Sequence, residues 1–233
     1  MSSSAPSQPT VTNPAPSTQP AAHPSTSADS PVYKFTISDP DTAATFNVPA
    51  SAVIAARKAA NPANVMYTAL GTGAIVFNRA RTAVLLVQRS AADSMPNLWE
   101  VPGGGVDDSD ATVVHAVARE LWEEAGLVAR RIGAVVPAVE GGPTEFVFAT
   151  RSGRIVGKFN FVIGADGDEH DVRLDPNEHQ ACVWATEEEC RDEKMGTGLA
   201  IPFTTKSQKA TVLQAWRMMR EGRDGLGGTE DGS

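Results

Sequence analysis

The chain has 233 residues, a formal net charge of −8 and 41% hydrophobic residues, a balance that suits one globular domain with tails. So acidic a chain lacks the broad basic stripe that stable nucleic-acid or membrane-surface binding needs, and no apolar run reaches membrane-spanning length. Its two cysteines, Cys182 and Cys190, cannot build a disulfide framework and lack metal-ligand spacing, so reduced, intracellular thiols are expected.

Residues 1–31 are almost wholly Ser, Pro, Ala, Thr and Gln, too poor in apolar surface to offset the entropy of ordering, and are expected to be a disordered tail. The first Lys or Arg is Lys34, and neither a secretory nor a transit pattern precedes it, so a cytoplasmic location is expected. Residues 32–64 read as an N-terminal extension. Alternation over 32–37 places Tyr33, Phe35 and Ile37 on one side of a short strand, Asp39-Pro40-Asp41 predicts a turn, and 51–60 a short helix ending before Asn61-Pro62.

The main domain is expected over 65–222. Residues 71–77 and 83–88 are apolar, β-branched runs separated by Asn78-Arg79-Ala80-Arg81, a hairpin signal. Gly71-Thr72-Gly73 precedes its strand, so it does not read as a nucleotide loop. Arg89 closes the second run, and a loop over 93–98 leads to Trp99, expected in the core. Residues 99–105, WEVPGGG, read as a short strand ending in glycines.

A helix follows over 111–125, a stretch without glycine or proline, with Asp108, Ser109 or Asp110 as N-cap and Gly126 just past its end. Val114, Val117, Ala118, Leu121, Trp122 and Ala125 make its apolar face. Glu120, Glu123 and Glu124 stand on an adjacent stripe, with Glu120 and Glu124 about 6 Å apart along the axis at ~1.5 Å per residue. A solvated acidic helix end would look similar. Yet negative charge near a helix C-terminus opposes the macrodipole, which suggests a compensating cation. Arg119, one turn before Glu123, can hold that carboxylate.

In this context the segment resembles the Nudix box, G-x5-E-x7-R-E-U-x-E-E-x-G-U with U aliphatic. Gly105, Arg119, Glu120, Leu121, Glu123, Glu124, Gly126 and Leu127 match in register, eight of nine fixed positions. Ala111 stands where the first glutamate belongs, and Asp110 beside it would fit only by a shift of register.

Residues 133–139, 145–149 and 157–163 read as further strands, giving a mixed sheet between helices. The polar loop 164–176 carries Asp166, Asp168, Asp171 and Asp175 without EF-hand spacing, and is either a substrate-side loop or a plain acidic surface. Glu178-His179 precedes a strand over 181–185, then a helix near Thr186 with Glu189 completing a capping box. A lone histidine is more often structural, so His179 is the weaker of that pair. A helix over 205–220 packs through Val212, Leu213, Trp216 and Met219, and 223–233 read as a flexible acidic tail.

The resemblance implies an α/β fold, the Nudix-type α/β/α sandwich with a central mixed β-sheet. It implies Mg2+ or Mn2+ held by Glu120 and Glu124, with Glu123 and the Gly104 carbonyl as further ligands and Arg119 in the catalytic constellation. It also implies substrate contacts from Gly104, Gly105 and Arg89, and Glu178 as general base or additional ligand. The substrate would be a nucleoside diphosphate linked to another moiety, cut by water within the pyrophosphate. The alternative is a nucleotide-binding or regulatory module of the same fold that does not hydrolyse, which Ala111 favours. Homodimerisation is common in the family and unreadable in this sequence.

Overall fold

The computed structural model describes residues 30–63, 66–166 and 171–227. The expected disorder of the N-terminal tail therefore falls outside it, apart from residues 30 and 31, as do Asp168 and His170 of the acidic loop.

Two sheets lie side by side. The larger holds β1 (Thr36–Ile37), β5 (Val128–Val136), β7 (Ile155–Asp166) and β2 (Ala69–Val76) in that order, with β6 (Glu145–Ala149) also pairing β7. It is mixed: β2 runs parallel to β7, and β5 and β6 antiparallel to it. The smaller is antiparallel, in the order β4 (Trp99–Glu100), β3 (Val84–Arg89), β8 (His179–Ala185). The expected hairpin between β2 and β3 therefore does not form. The two strands share one bridge, Phe77 with Val84, and then diverge into different sheets. All eight residues of β2 are buried, as befits a strand covered on both faces, and its partner is the distant β7.

Helix α3 (Val113–Ala125) covers one face, packing Val114, Val117 and Leu121 against Leu70, Phe159 and Phe161 of the larger sheet and Leu85 and Val87 of the smaller. Each such buried side chain contributes about 1.5–3 kcal/mol of transfer free energy. Helix α4 (Glu187–Asp192) and helix α5 (Lys206–Arg220) cover the other face, where Trp216 and Val212 meet Ile75, Leu86 and Val162. This is the expected sandwich. Thr186 and Glu189 form the expected capping box, and Cys182 and Cys190 are buried without a disulfide.

The N-cap of α3 is Thr112, not Asp108, Ser109 or Asp110. In the extension, residues 31–33 form a 3-10 turn, so only Thr36–Ile37 remain as strand. Asp39-Pro40-Asp41 does not turn but starts α1 (Pro40–Phe46), with Asp39 capping the Thr42 N–H at 2.8 Å. Helix α2 (Ala50–Ala60) follows. Phe46, 1% exposed, sits edge-on against Phe159 at 4.8 Å and Phe161 at 5.1 Å. At the other terminus residues 224–226 are docked rather than frayed. Asp224 is buried and paired with Arg81, its carbonyl accepts from Ala134 N–H at 2.8 Å, and the Leu226 carbonyl accepts from Arg131 at 2.6 Å. Gly133 permits this approach, since a Cβ there would lie 2.3 Å from the Asp224 carbonyl.

The extension is thus part of the core. Phe46→Ala is expected to destabilise the protein by about 3–5 kcal/mol, the usual loss for a buried phenylalanine. Urea unfolding would measure it, and a loss under about 1 kcal/mol would show the extension to be peripheral.

Candidate active site

Residues 101–106 run along the edge of β2. Thr72 N–H donates to the Gly104 carbonyl at 2.8 Å, Ala74 N–H to Pro102 at 2.7 Å, and Val106 N–H to Leu70 at 3.0 Å. The glycine loop is therefore a pinned ribbon, and α3 brings its carboxylates to it. A Cβ on Gly104 would stand 2.7 Å from a Glu120 carboxylate oxygen, so only glycine leaves that carboxylate its place. Gly103 N–H donates to Glu124 Oε2 at 2.5 Å.

Arg119 fixes the geometry. Its guanidinium holds both carboxylate oxygens of Asp110 at 3.0 Å, Glu123 at 2.7 Å, Glu120 at 2.9 Å and the Gly105 carbonyl at 2.9 Å. Asp110, its side chain 1% exposed, is thus spent on Arg119 and on the Asp107 N–H, which leaves the capping of α3 to Thr112. Ala111 is exposed. Beside it, Asp110 pairs with the helix arginine.

The three glutamates of the predicted stripe do not act alike. Glu120 and Glu124 are buried, at 8% and 5% exposure, while Glu123 turns to Arg119. Burial pushes the Glu120 carboxyl up to about 7, with Arg119 pulling the other way. Burial, and next the field of Glu120, hold Glu124 well above the usual carboxylate range despite the Gly103 N–H. Two carboxyls that resist ionisation are what a divalent cation would relieve.

Glu178 and His179 arrive from the start of β8. A register shift opposite Gln88 and Arg89 re-aims the side chains there. One ligand atom from each of Glu124, Glu178 and His179 lies within 4.8 Å of the others, and Glu120 stands outside this cluster. His179 is 3% exposed and neither ring nitrogen has a hydrogen-bond partner. Its closest carboxylate approach to Glu100 is 3.7 Å, beyond hydrogen-bond reach. A buried imidazole without a partner, beside two carboxylates, is a donor set that suits a divalent metal ion.

Arg89 is not a free substrate arginine: it pairs with Glu100 and, at 2.6 Å, with Asp93. The Gly104 carbonyl already accepts from Thr72, leaving one lone pair for a ligand. Glu100 and Asp110 were not assigned site roles by sequence reasoning, and His179 was weighed only as the weaker of its pair with Glu178. Glu100 sits in a run read as apolar strand, and His179 is a single histidine without a spacing signal.

Residues 68–204 match the NUDIX domain family, so the chain belongs to that family. It is similar to the RNA pyrophosphohydrolase of Gluconobacter oxydans (strain 621H), 28% identical over 153 residues covering 61% of this chain and 86% of that protein. The CTP pyrophosphohydrolase of Escherichia coli (strain K12) is 35% identical over 143 residues, covering 60% of this chain and 86% of that protein. The crystal structure of the MutT protein from Methanosarcina mazei Go1 has a TM-score of 0.48 at 22% identity, covering 66% of this chain and 95% of that one. Among the described residues, no helix is long and apolar enough to cross a membrane.

The raised carboxyls give a test. The folded protein keeps the Glu120 proton up to about pH 7, whereas the unfolded chain loses it near the ordinary value of 4.5. Between those values the folded state holds more protons, so metal-free stability falls as pH rises. Thermal unfolding should therefore show a larger stabilisation by millimolar Mg2+ at pH 8 than at pH 5.5. An equal shift at both would remove the carboxylates from the binding site.

Proposed function

We propose that this protein is a pyrophosphohydrolase dependent on Mg2+ or Mn2+. It would cleave a nucleoside diphosphate linked to another moiety by attack of water within the pyrophosphate. The chain is a hydrolase acting on phosphorus-containing acid anhydrides, by its membership of the Nudix family and its likeness to proteins named pyrophosphohydrolases. The observation that carries the finer reading is the meeting of the Glu124 and Glu178 carboxylates, oxygen donors of the kind Mg2+ and Mn2+ take, with Glu124 held on the glycine loop.

In this reading Glu124 and Glu178 hold the cation, with Glu120, the Gly104 carbonyl and His179 beside them. When bound, the ion supplies countercharge for the pyrophosphate and acidifies water. In this reading Glu178, the exposed member of the cluster, takes the proton of the attacking water on the carboxylate oxygen it does not give to the ion. Arg119 and Glu123 position rather than react: they fix the end of α3 against the glycine ribbon. No nucleophilic side chain is required, since phosphoryl substitution depends on positioning and charge stabilisation. The feature that favoured a non-hydrolysing module, Ala111, loses its weight beside the Asp110–Arg119 pair.

Glu124→Gln is expected to lower the hydrolysis of a nucleotide panel to below roughly a hundredth of wild type, the scale of losing one charge-stabilising group in a closed site. Its unfolding midpoint in the absence of metal should not fall, because the replacement removes a carboxyl whose ionisation the fold opposes. Retained turnover would overturn the assignment. A second measurement is removal of divalent ions with a chelator, which should abolish turnover until Mg2+ or Mn2+ is restored.

A further inference from the structure

The cluster beside the glycine ribbon mixes nitrogen with oxygen, and the backbone fixes where the nitrogen enters. His179 opens β8: its N–H donates to the Asp175 carbonyl at 2.8 Å, and it stands opposite Arg89 where the β3–β8 register shifts. Its neighbour is pinned as well, since Ser90 N–H donates to the Glu178 carbonyl at 2.8 Å. The turn before them is closed by Asp175, whose side chain accepts from Asn177 N–H at 2.9 Å. The imidazole therefore reaches the cleft from a fixed point at the end of the smaller sheet.

The fold itself makes no use of that imidazole. It is 97% buried, being 3% exposed, and among the described residues neither ring nitrogen has a hydrogen-bond partner. Glu100, 3.7 Å away, is already taken by Arg89, which Asp93 holds from its other side at 2.6 Å. Leaving a buried polar ring unpaired is costly, and protein interiors almost always avoid it. One ring nitrogen, however, faces a carboxylate oxygen of Glu124 and one of Glu178, all three atoms lying within 4.8 Å of one another. Atoms so spaced lie within about 2.8 Å of a common point, against the roughly 2.0–2.2 Å of a metal–nitrogen or metal–oxygen bond. A shift of well under an ångström would seat one ion among them. Glu120 and the Gly104 carbonyl, by contrast, offer oxygen alone.

We propose that His179 is itself a metal ligand, and that it makes this site select a first-row transition ion over Mg2+. This rests on the pyrophosphohydrolase reading and names the ion that the β8 half of the site chooses. Mg2+ demands oxygen ligands in near-ideal octahedral geometry and gives up its water reluctantly. An imidazole beside two carboxylates suits the borderline ions, whose affinity for such a donor set rises from Mn2+ to Co2+. Carboxylates alone rank these ions in the same order, so the mark of the imidazole is the part of the preference that disappears with it.

The test is calorimetric titration of the full chain with Mg2+, Mn2+ and Co2+ in the absence of substrate. His179→Ala should weaken Mn2+ and Co2+ about tenfold or more, at least the loss seen when a mere support of a metal ligand is removed, and Mg2+ by about twofold or less. His179→Gln, which fills the space with an amide in place of the ring, should lose the same preference, and serves alone should the alanine variant not fold. Pulsed electron paramagnetic resonance of the wild-type protein with Mn2+ should show coupling to a directly bound imidazole nitrogen, absent from both variants. Wild-type protein without that coupling overturns the ligand whatever the variants do. Equal loss for all three ions, loss for none, or coupling that survives the replacements also overturns it. Each of these leaves the pyrophosphohydrolase reading standing so long as the wild type binds Mg2+. Wild-type protein that binds none of the three ions overturns both.

Discussion

The Arg119 guanidinium is the contact on which the site depends. It is largely buried, and it joins three elements in one fan of hydrogen bonds: Asp110 before the helix, Glu120 and Glu123 on it, and the Gly105 carbonyl of the ribbon. A buried guanidinium is tolerable only if its donors are satisfied, and its planar fork suits carboxylates taken in pairs. Burial alone would disfavour its charge, but Asp110 and the two glutamates outweigh that and hold the group more firmly protonated than a free arginine. The consequence is geometric. With Arg119 fixed, the last turns of α3 cannot rotate relative to the glycine ribbon, and Glu120 and Glu124 are held against Gly104 and Gly103.

The sheets supply the second half of the site. Because β2 and β3 part after one bridge, the edge of the larger sheet and the end of the smaller converge on the glycine ribbon from different directions. Helix α3 contributes Glu124 from one side, while β8 contributes His179 and the residue before it from the other. A continuous β2–β3 hairpin would have kept these groups on one surface. The divergence costs a long-range pairing of β2 with β7, and the complete burial of β2 offsets it.

What was legible in the sequence follows from the range of the interactions. Helix α3 and its cap glycine were readable because a 3.6-residue repeat and a left-handed Gly126 are local properties. The capping box at Thr186 was readable for the same reason. The strand partners were not: β2 looks like half of a hairpin until β7, with Val156 opposite Ala69, competes for its edge. The C-terminal segment read as frayed because Asp224 among glycines signals a loop, whereas its partner Arg81 lies 143 residues away. In the site, Glu120, Glu124 and Glu178 were named from spacing and motif, and the Arg119–Glu123 pair from its one-turn spacing, but the burial that separates Glu124 from Glu123 was not. That division is set by where Arg119 points. His179 was read only as the weaker of its pair with Glu178, since its significance lies in having no partner in a buried place.

The charge pattern of the site has a further consequence for how it can act. Arg89 is neutralised by Glu100 and Asp93, and Arg119 by Asp110, Glu123 and Glu120. What remains of charge in the cluster itself is Glu124 and Glu178. A polyphosphate approaching these groups unaided would meet like charge in a partly desolvated cleft, where repulsion is far stronger than in water. In the proposed reading a polyphosphate therefore needs more countercharge than these paired arginines leave free. The raised carboxyls of Glu120 and Glu124 mark the same deficit from the protein's side, because two acids placed together without countercharge keep their protons. In the proposed reading a divalent ion would remove both difficulties at once, by ionising the carboxylates and presenting positive charge to the phosphate. On this argument cation and nucleotide bind with positive coupling, and each should tighten the other by the same factor.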